Sequence, residues 1–129
     1  MTFETRSAFY RQMAVMLRSG LPLLTVLEHL AASGATPRVR ELARSLRAGV
    51  AAGEPLADLL GRCVGRSFSR FEHAVIRTGE ASGMLAEVLG RLADHFAFLA
   101  RIRSRLISGL LYPAILLHAA IVIPAVPLL

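Results

Sequence analysis

The side chains best suited to acid–base or metal chemistry are four histidines, one cysteine and nine carboxylates. His29, His73, His95 and His118 are separated by 44, 22 and 23 residues. No HxxxH or HExxH occurs, so no helix face offers two imidazoles to one metal ion. Cys63 stands alone, which rules out an internal disulfide and any multi-cysteine zinc site within one chain. It lies in GRCVGR, between Arg62 and Arg66, and reads as an ordinary small residue at a helix end rather than a nucleophile. Asp58 and Asp94 are the only aspartates, too few for an EF-hand loop. GxSxG is absent, and no carboxylate pair stands apart from ordinary surface charge. All 15 basic residues are Arg. Without lysine there is no P-loop lysine, no kinase strand lysine and no Schiff base. The expectation is therefore a protein that binds rather than catalyses, with no cofactor and no metal.

The balance of charge is +6 in 129 residues, which favours an anionic neighbour: lipid headgroups, nucleic acid or an acidic protein. Its distribution is uneven. Every formally charged residue lies between Glu4 and Arg105, and residues 106–129, LISGLLYPAILLHAAIVIPAVPLL, carry none. Pro124 and Pro127 are expected to end the helix, leaving Leu106 to Ile123, about 27 Å of helix against about 30 Å of bilayer hydrocarbon. Pro113 falls inside that span, where a kink is expected. The opening MTFETRSAFYRQM has no apolar signal-peptide core. Arg101, Arg103 and Arg105 immediately precede the apolar run and would keep residues 1–105 on the cytoplasmic side. His118 sits inside the run, where a packing contact to another helix explains it better than proton transfer. Arg40, Arg44 and Arg47 share a helix face, which keeps duplex binding as a rival reading, although membrane attraction explains the same charge more simply.

Residues 1–105 carry a helical apolar period throughout. Phe9, Met13, Met16 and Leu17 mark a first helix that Gly20 ends. Pro22 opens a second with Leu23, Leu27 and Leu30. Thr36 and Pro37 form an N-cap and first-turn pair for a third, which buries Val39, Leu42, Leu46 and Val50 and closes at Gly53. Pro55 opens a short fourth with Leu56, Leu59 and Leu60. After a loop at GRCVGR, Ser67 caps a fifth that turns Phe68, Phe71 and Val75 inward and ends at Gly79. Ser82 or Gly83 starts the sixth, with Leu85, Val88, Leu89, Leu92 and Phe96 as its stripe. This helix either continues into the apolar segment or ends near Leu99. The expected fold is all-α, a six-helix bundle of three helical hairpins over 1–105, followed by a transmembrane segment over 106–129. Three glycine-led turns, SGLPLLTVLEHL, AGEPLADLLGRC and TGEASGMLAEVLGRL, echo one another, with Gly20, Gly53 and Gly79 as expected left-handed residues.

The ordered segments FYRQMAVMLRSGLPLLTVLEHLA, AAGEPLADLL, VIRTGEASGMLAEVLGRLADHF and YPAI resemble the type II secretion F domain of the GspF/PilC group of inner-membrane platform proteins. The most specific piece is the G-E-x-S-G-x-L block, here Gly79, Glu80, Ser82, Gly83 and Leu85. Next is the Tyr112–Pro113 pair where the chain would enter the membrane. Within the block, Gly79 would take a positive φ, Ser82 would accept from backbone N–H groups, and Glu80 would face the positive end of the sixth helix. The resemblance implies a non-enzymatic scaffold in the bacterial inner membrane, on which pilin or pseudopilin fibres are built and against which a cytoplasmic ATPase works. It also implies two domain copies and about three spans, whereas this chain holds one copy and one span. It reads as half of a longer protein or a single-domain relative that needs a second copy or another partner. The alternative is a soluble helical adaptor whose apolar tail packs in an oligomer, with a basic nucleic-acid binder behind it.

Overall fold

The structure, a computed structural model, describes residues 1–125. Its elements are α1 (Phe3–Arg18), α2 (Leu23–Ser33), α3 (Pro37–Ala51), α4 (Leu56–Val64), a 3-10 turn (Gly65–Ser67), α5 (Arg70–Ser82) and α6 (Leu85–Ala125). Among the described residues there are six helices and no strand, as the apolar period demands. The chain forms two compact units, Met1–Ala97 and the segment from Phe98 onward. The boundary read from charge, at Arg105, and this one, at Ala97, respond to different things: where ionic groups stop and where tertiary packing stops.

Each helix of the first unit begins where its sequence provides a start. Thr2 caps α1 by accepting from the Thr5 N–H. Thr36 caps α3 by accepting from Val39 N–H at 3.2 Å, with Pro37 as the first helical residue. Ser69, rather than Ser67, caps α5 in a full capping box with Glu72. The buried face of α5 also differs from the expected one. Glu72, Ile76 and Gly79 point inward, while Phe71 is 57% exposed and Val75 half-buried. The expected loop at GRCVGR is helical as far as Val64, because Leu59 and Leu60 anchor the turn before it.

The three turns share one geometry. Gly20 and Gly53 have φ of +92° and +88°, as expected. In the third turn the left-handed residue is Gly83 at +72°, not Gly79, and Gly65, after α4, has φ of +79° as well. In each turn the residue after the glycine donates to the carbonyl five positions earlier: Leu21 to Met16, Glu54 to Gly49, and Met84 to Gly79. Gly79 is thus inside α5 and supplies the closing carbonyl. The core of this unit includes Tyr10, Met13, Leu27, Leu46, Leu56, Leu60, Ile76 and Leu89, all at most 1% exposed. Burying each such aliphatic side chain contributes about 1.5–3 kcal/mol.

In the second unit, α6 passes without a break through Pro113 and Pro124 to Ala125. Pro124 therefore does not end it, contrary to the expected stop; Pro127 lies outside the described residues. Leu110, Tyr112, Ile115, Leu117 and Ile121 are 63–68% exposed. α6 is long and apolar enough, by length and composition, to cross a membrane, with a mean hydropathy of 1.7 in its most apolar stretch.

Candidate functional site

The G-E-x-S-G-x-L block lies on the last turn of α5 and the first of α6. Gly79 is buried, and a Cβ there would stand 2.1 Å from Val88 Cγ2 and 3.4 Å from Leu85 Cα. Its role is therefore close approach between α5 and α6, not a left-handed turn. Gly49 does the same between α3 and α4, where a Cβ would meet Leu59 Cδ2 at 2.1 Å. Gly83 carries the positive φ, and open space surrounds it. Ser82 does not accept from the backbone; its hydroxyl donates to Thr78 O at 2.8 Å. Leu85, half-buried, opens α6.

Glu80 reaches a different helix from the one expected. The Leu56 N–H donates to its Oε2 at 2.7 Å and the Ala57 N–H to its Oε1 at 2.9 Å. The residue before α4 is Pro55, which offers no side-chain cap. The α5 carboxylate therefore satisfies the first free N–H groups of α4 and meets the positive end of its dipole. The block and the AGEPLADLL segment, distant in sequence, form one structural unit through this clip.

A second polar cluster is not visible in the sequence. Glu72, 1% exposed, accepts from Tyr10 OH at 2.8 Å, from Ser69 N–H at 2.9 Å and from Arg6 Nη1 at 3.3 Å. Arg6, 5% exposed, also donates to Ser67 O and Ser67 Oγ, each at 2.8 Å. Its guanidinium lies 5.3 Å from the centre of the Phe96 ring. Burial, and then the neighbouring Glu72 carboxylate, push the Tyr10 phenol far above its ordinary range, so it remains a donor. Among the described residues no buried side-chain polar atom lacks a partner. The signal that marks this junction is the capping-box pattern S-R-F-E at Ser69–Glu72, which places a carboxylate at a helix start. Nothing in that pattern tells that the start is buried.

Three of the histidines have separate neighbours. His29 pairs with Ser33, His73 with Asp58, and His95 packs against the Phe71 and Phe96 rings. Cys63, half-buried, lines a small depression with Arg38, Glu41, Leu42 and Ser45. Among the described residues no group of three metal-binding side chains occurs. Of the Arg40, Arg44 and Arg47 face, Arg40 donates to Gly34 O and Arg47 pairs with Glu28.

In the second unit, Arg101, Arg103 and Arg105 are exposed, as are Tyr112 and Pro113. His118 borders a shallow apolar groove with Leu111, Ala114, Ile115, Ala119 and Val122.

Comparison with known proteins gives this arrangement a context. Type II secretion system protein F of Vibrio cholerae is 36% identical over 115 residues, covering 89% of this chain and 28% of that protein. Type 4 fimbrial assembly protein PilC of Pseudomonas putida is 34% identical over 123 residues, 95% of this chain and 30% of that protein. Type IV pilus assembly protein PilC of Thermus thermophilus is 33% identical over 113 residues, 88% of this chain and 27% of that protein. The chain thus spans less than a third of the length of these relatives. The sequence profile described as Type II secretion system (T2SS), protein F matches residues 9–129, and the chain belongs to that family.

Proposed function

We propose that the chain is a membrane-anchored, non-enzymatic subunit of a secretion or pilus assembly platform. The match over residues 9–129 carries this reading, because the relatives are named for type II secretion and type IV pilus assembly. The helical unit supplies a docking body, and α6 beyond Phe98 supplies the anchor. The excess of arginine beside the apolar run favours a cytoplasmic helical unit and an inner-membrane location. In this reading a cytoplasmic ATPase acts on the helical unit, and pilin-like subunits assemble at the membrane. A second copy, or another domain of the same type, completes the platform. Gly79, Glu80, Ser82, Gly83 and Leu85 act as the clip that keeps α4, α5 and α6 in register. Arg101, Arg103, Arg105, Tyr112 and Pro113 mark where the chain enters the bilayer. The absence of lysine agrees with work driven by another protein's nucleotide hydrolysis.

Membrane fractionation tests the anchor. The chain is expected in the membrane pellet, resistant to alkaline wash and released by detergent. Recovery as a detergent-free soluble oligomer would contradict it and favour the adaptor reading.

A further inference from the structure

The geometry points to a phosphate-binding girdle made by Arg101, Arg103 and Arg105, with anionic phospholipid headgroups as its ligand. The inference rests on the membrane-anchored reading and adds a lipid preference to it. All three arginines are exposed. No acidic residue occurs after Asp94, so none lies on the same segment to neutralise them. At about 100° per residue, Arg101 and Arg105 lie about 40° apart, while Arg103 lies about 200° from Arg101. The charges are thus spread over opposite flanks of the helix. A protein partner docking on one face would meet only one flank, whereas a lipid leaflet surrounds the helix and meets both.

Position along the axis agrees. Phe98 and Ile102 are exposed among the arginines, and from Leu106 the exposed apolar side chains Leu106, Ile107, Leu110 and Leu111 follow with no charged residue between them. With Leu106 at the hydrocarbon boundary, Arg105 stands about 1.5 Å and Arg101 about 7.5 Å further along the axis. That interval falls in the headgroup layer, and long arginine side chains can adjust their height within it. Residue type agrees as well. A guanidinium binds phosphate through two parallel N–H donors, so it offers a phosphate oxygen pair more than a point charge does.

The test uses the full chain reconstituted in phosphatidylcholine bilayers carrying trace spin-labelled lipid. The fraction of label immobilised by the protein is compared for phosphatidylglycerol and phosphatidylcholine headgroups. A several-fold preference for phosphatidylglycerol is expected, falling toward equality as salt is raised. The R101Q/R103Q/R105Q variant should lose that preference while remaining in the membrane fraction with unchanged helical content. The R101K/R103K/R105K variant should keep only some of it. Equal immobilisation of the two lipids by the unsubstituted chain would overturn the girdle, as would a preference that survives the glutamine variant. Binding of an acidic polypeptide at these arginines with no lipid preference would overturn it as well. A chain that never enters the bilayer would instead defeat the anchor reading, and fractionation detects that separately.

Discussion

Between Met1 and Ala97, Leu27, Leu46, Leu56 and Leu89 have no exposed surface; between Phe98 and Val122, Leu110, Leu117 and Ile121 keep 65–68% of theirs. Polar groups differ in the same sense. The first unit buries Arg6 and Glu72 and gives each several partners, whereas the second spaces Arg101, Arg103 and Arg105 along an exposed helix. Both regions are helical, so backbone hydrogen bonding is satisfied in both. What separates them is the surroundings each side-chain set requires. The first supplies its own apolar interior, and the second needs one from outside, which in the proposed reading is lipid.

The largest loss of stability in the first unit is expected from Arg6→Ala. It leaves the buried Glu72 without its cation, and a loss of about 3–5 kcal/mol is expected. Thermal melting of the chain in detergent, followed by circular dichroism, reads it. A melting temperature that barely moves would mean that the junction is not what fixes α1 to α5. Gly79→Val comes next, at about 1–3 kcal/mol, through overpacking against Val88. Combining it with Val88→Ala should recover some of the loss. No recovery would point away from close approach as the reason for the glycine.

Glu80→Ala removes the cap of α4 and should cost about 1 kcal/mol. Amide exchange at Leu56 and Ala57 should quicken before exchange elsewhere in the bundle, and uniform acceleration would contradict a local cap. The smallest effect is at Asp58. A hydrogen bond from His73, helped by Arg77 and Arg62, holds its carboxyl below the usual aspartate range. A folded-state value below the unfolded one gives stability that is present above the ordinary aspartate value of about 4 and lost as pH falls below it. Asp58→Asn should therefore flatten the acid side of the melting profile slightly. An unaltered profile would show that this exposed pair contributes nothing measurable.

Much of the first unit is legible in the sequence because helix starts and stops are local. Thr36–Pro37, Gly20 and Gly53 act through their own neighbours, and each sits where its residue type predicts. The third turn misleads because two glycines stand four residues apart. Only tertiary packing distinguishes Gly79, pressed against Val88, from Gly83, which turns the chain. The start of α5 differs from the expected one for a related reason. Ser67 and Ser69 are both plausible caps, and the choice depends on Glu72 being able to reach back to Ser69. Glu80 and Glu72 look like surface carboxylates in sequence. Their partners, Leu56, Ala57, Arg6 and Tyr10, are 23 to 66 residues away. Pro124 lies one residue inside the described end of α6, Ala125.

A membrane-anchored platform subunit requires the polypeptide to traverse a bilayer after Arg105. In a Cys63→Ser background, single cysteines at Ser45→Cys and Leu129→Cys can be tested with a membrane-impermeant maleimide in sealed inner-membrane vesicles of known orientation. A spanning helix should leave the Ser45→Cys chain labelled from the cytoplasmic face and the Leu129→Cys chain labelled only after the vesicles are opened. Labelling of both from the same side, without opening the vesicles, would contradict it.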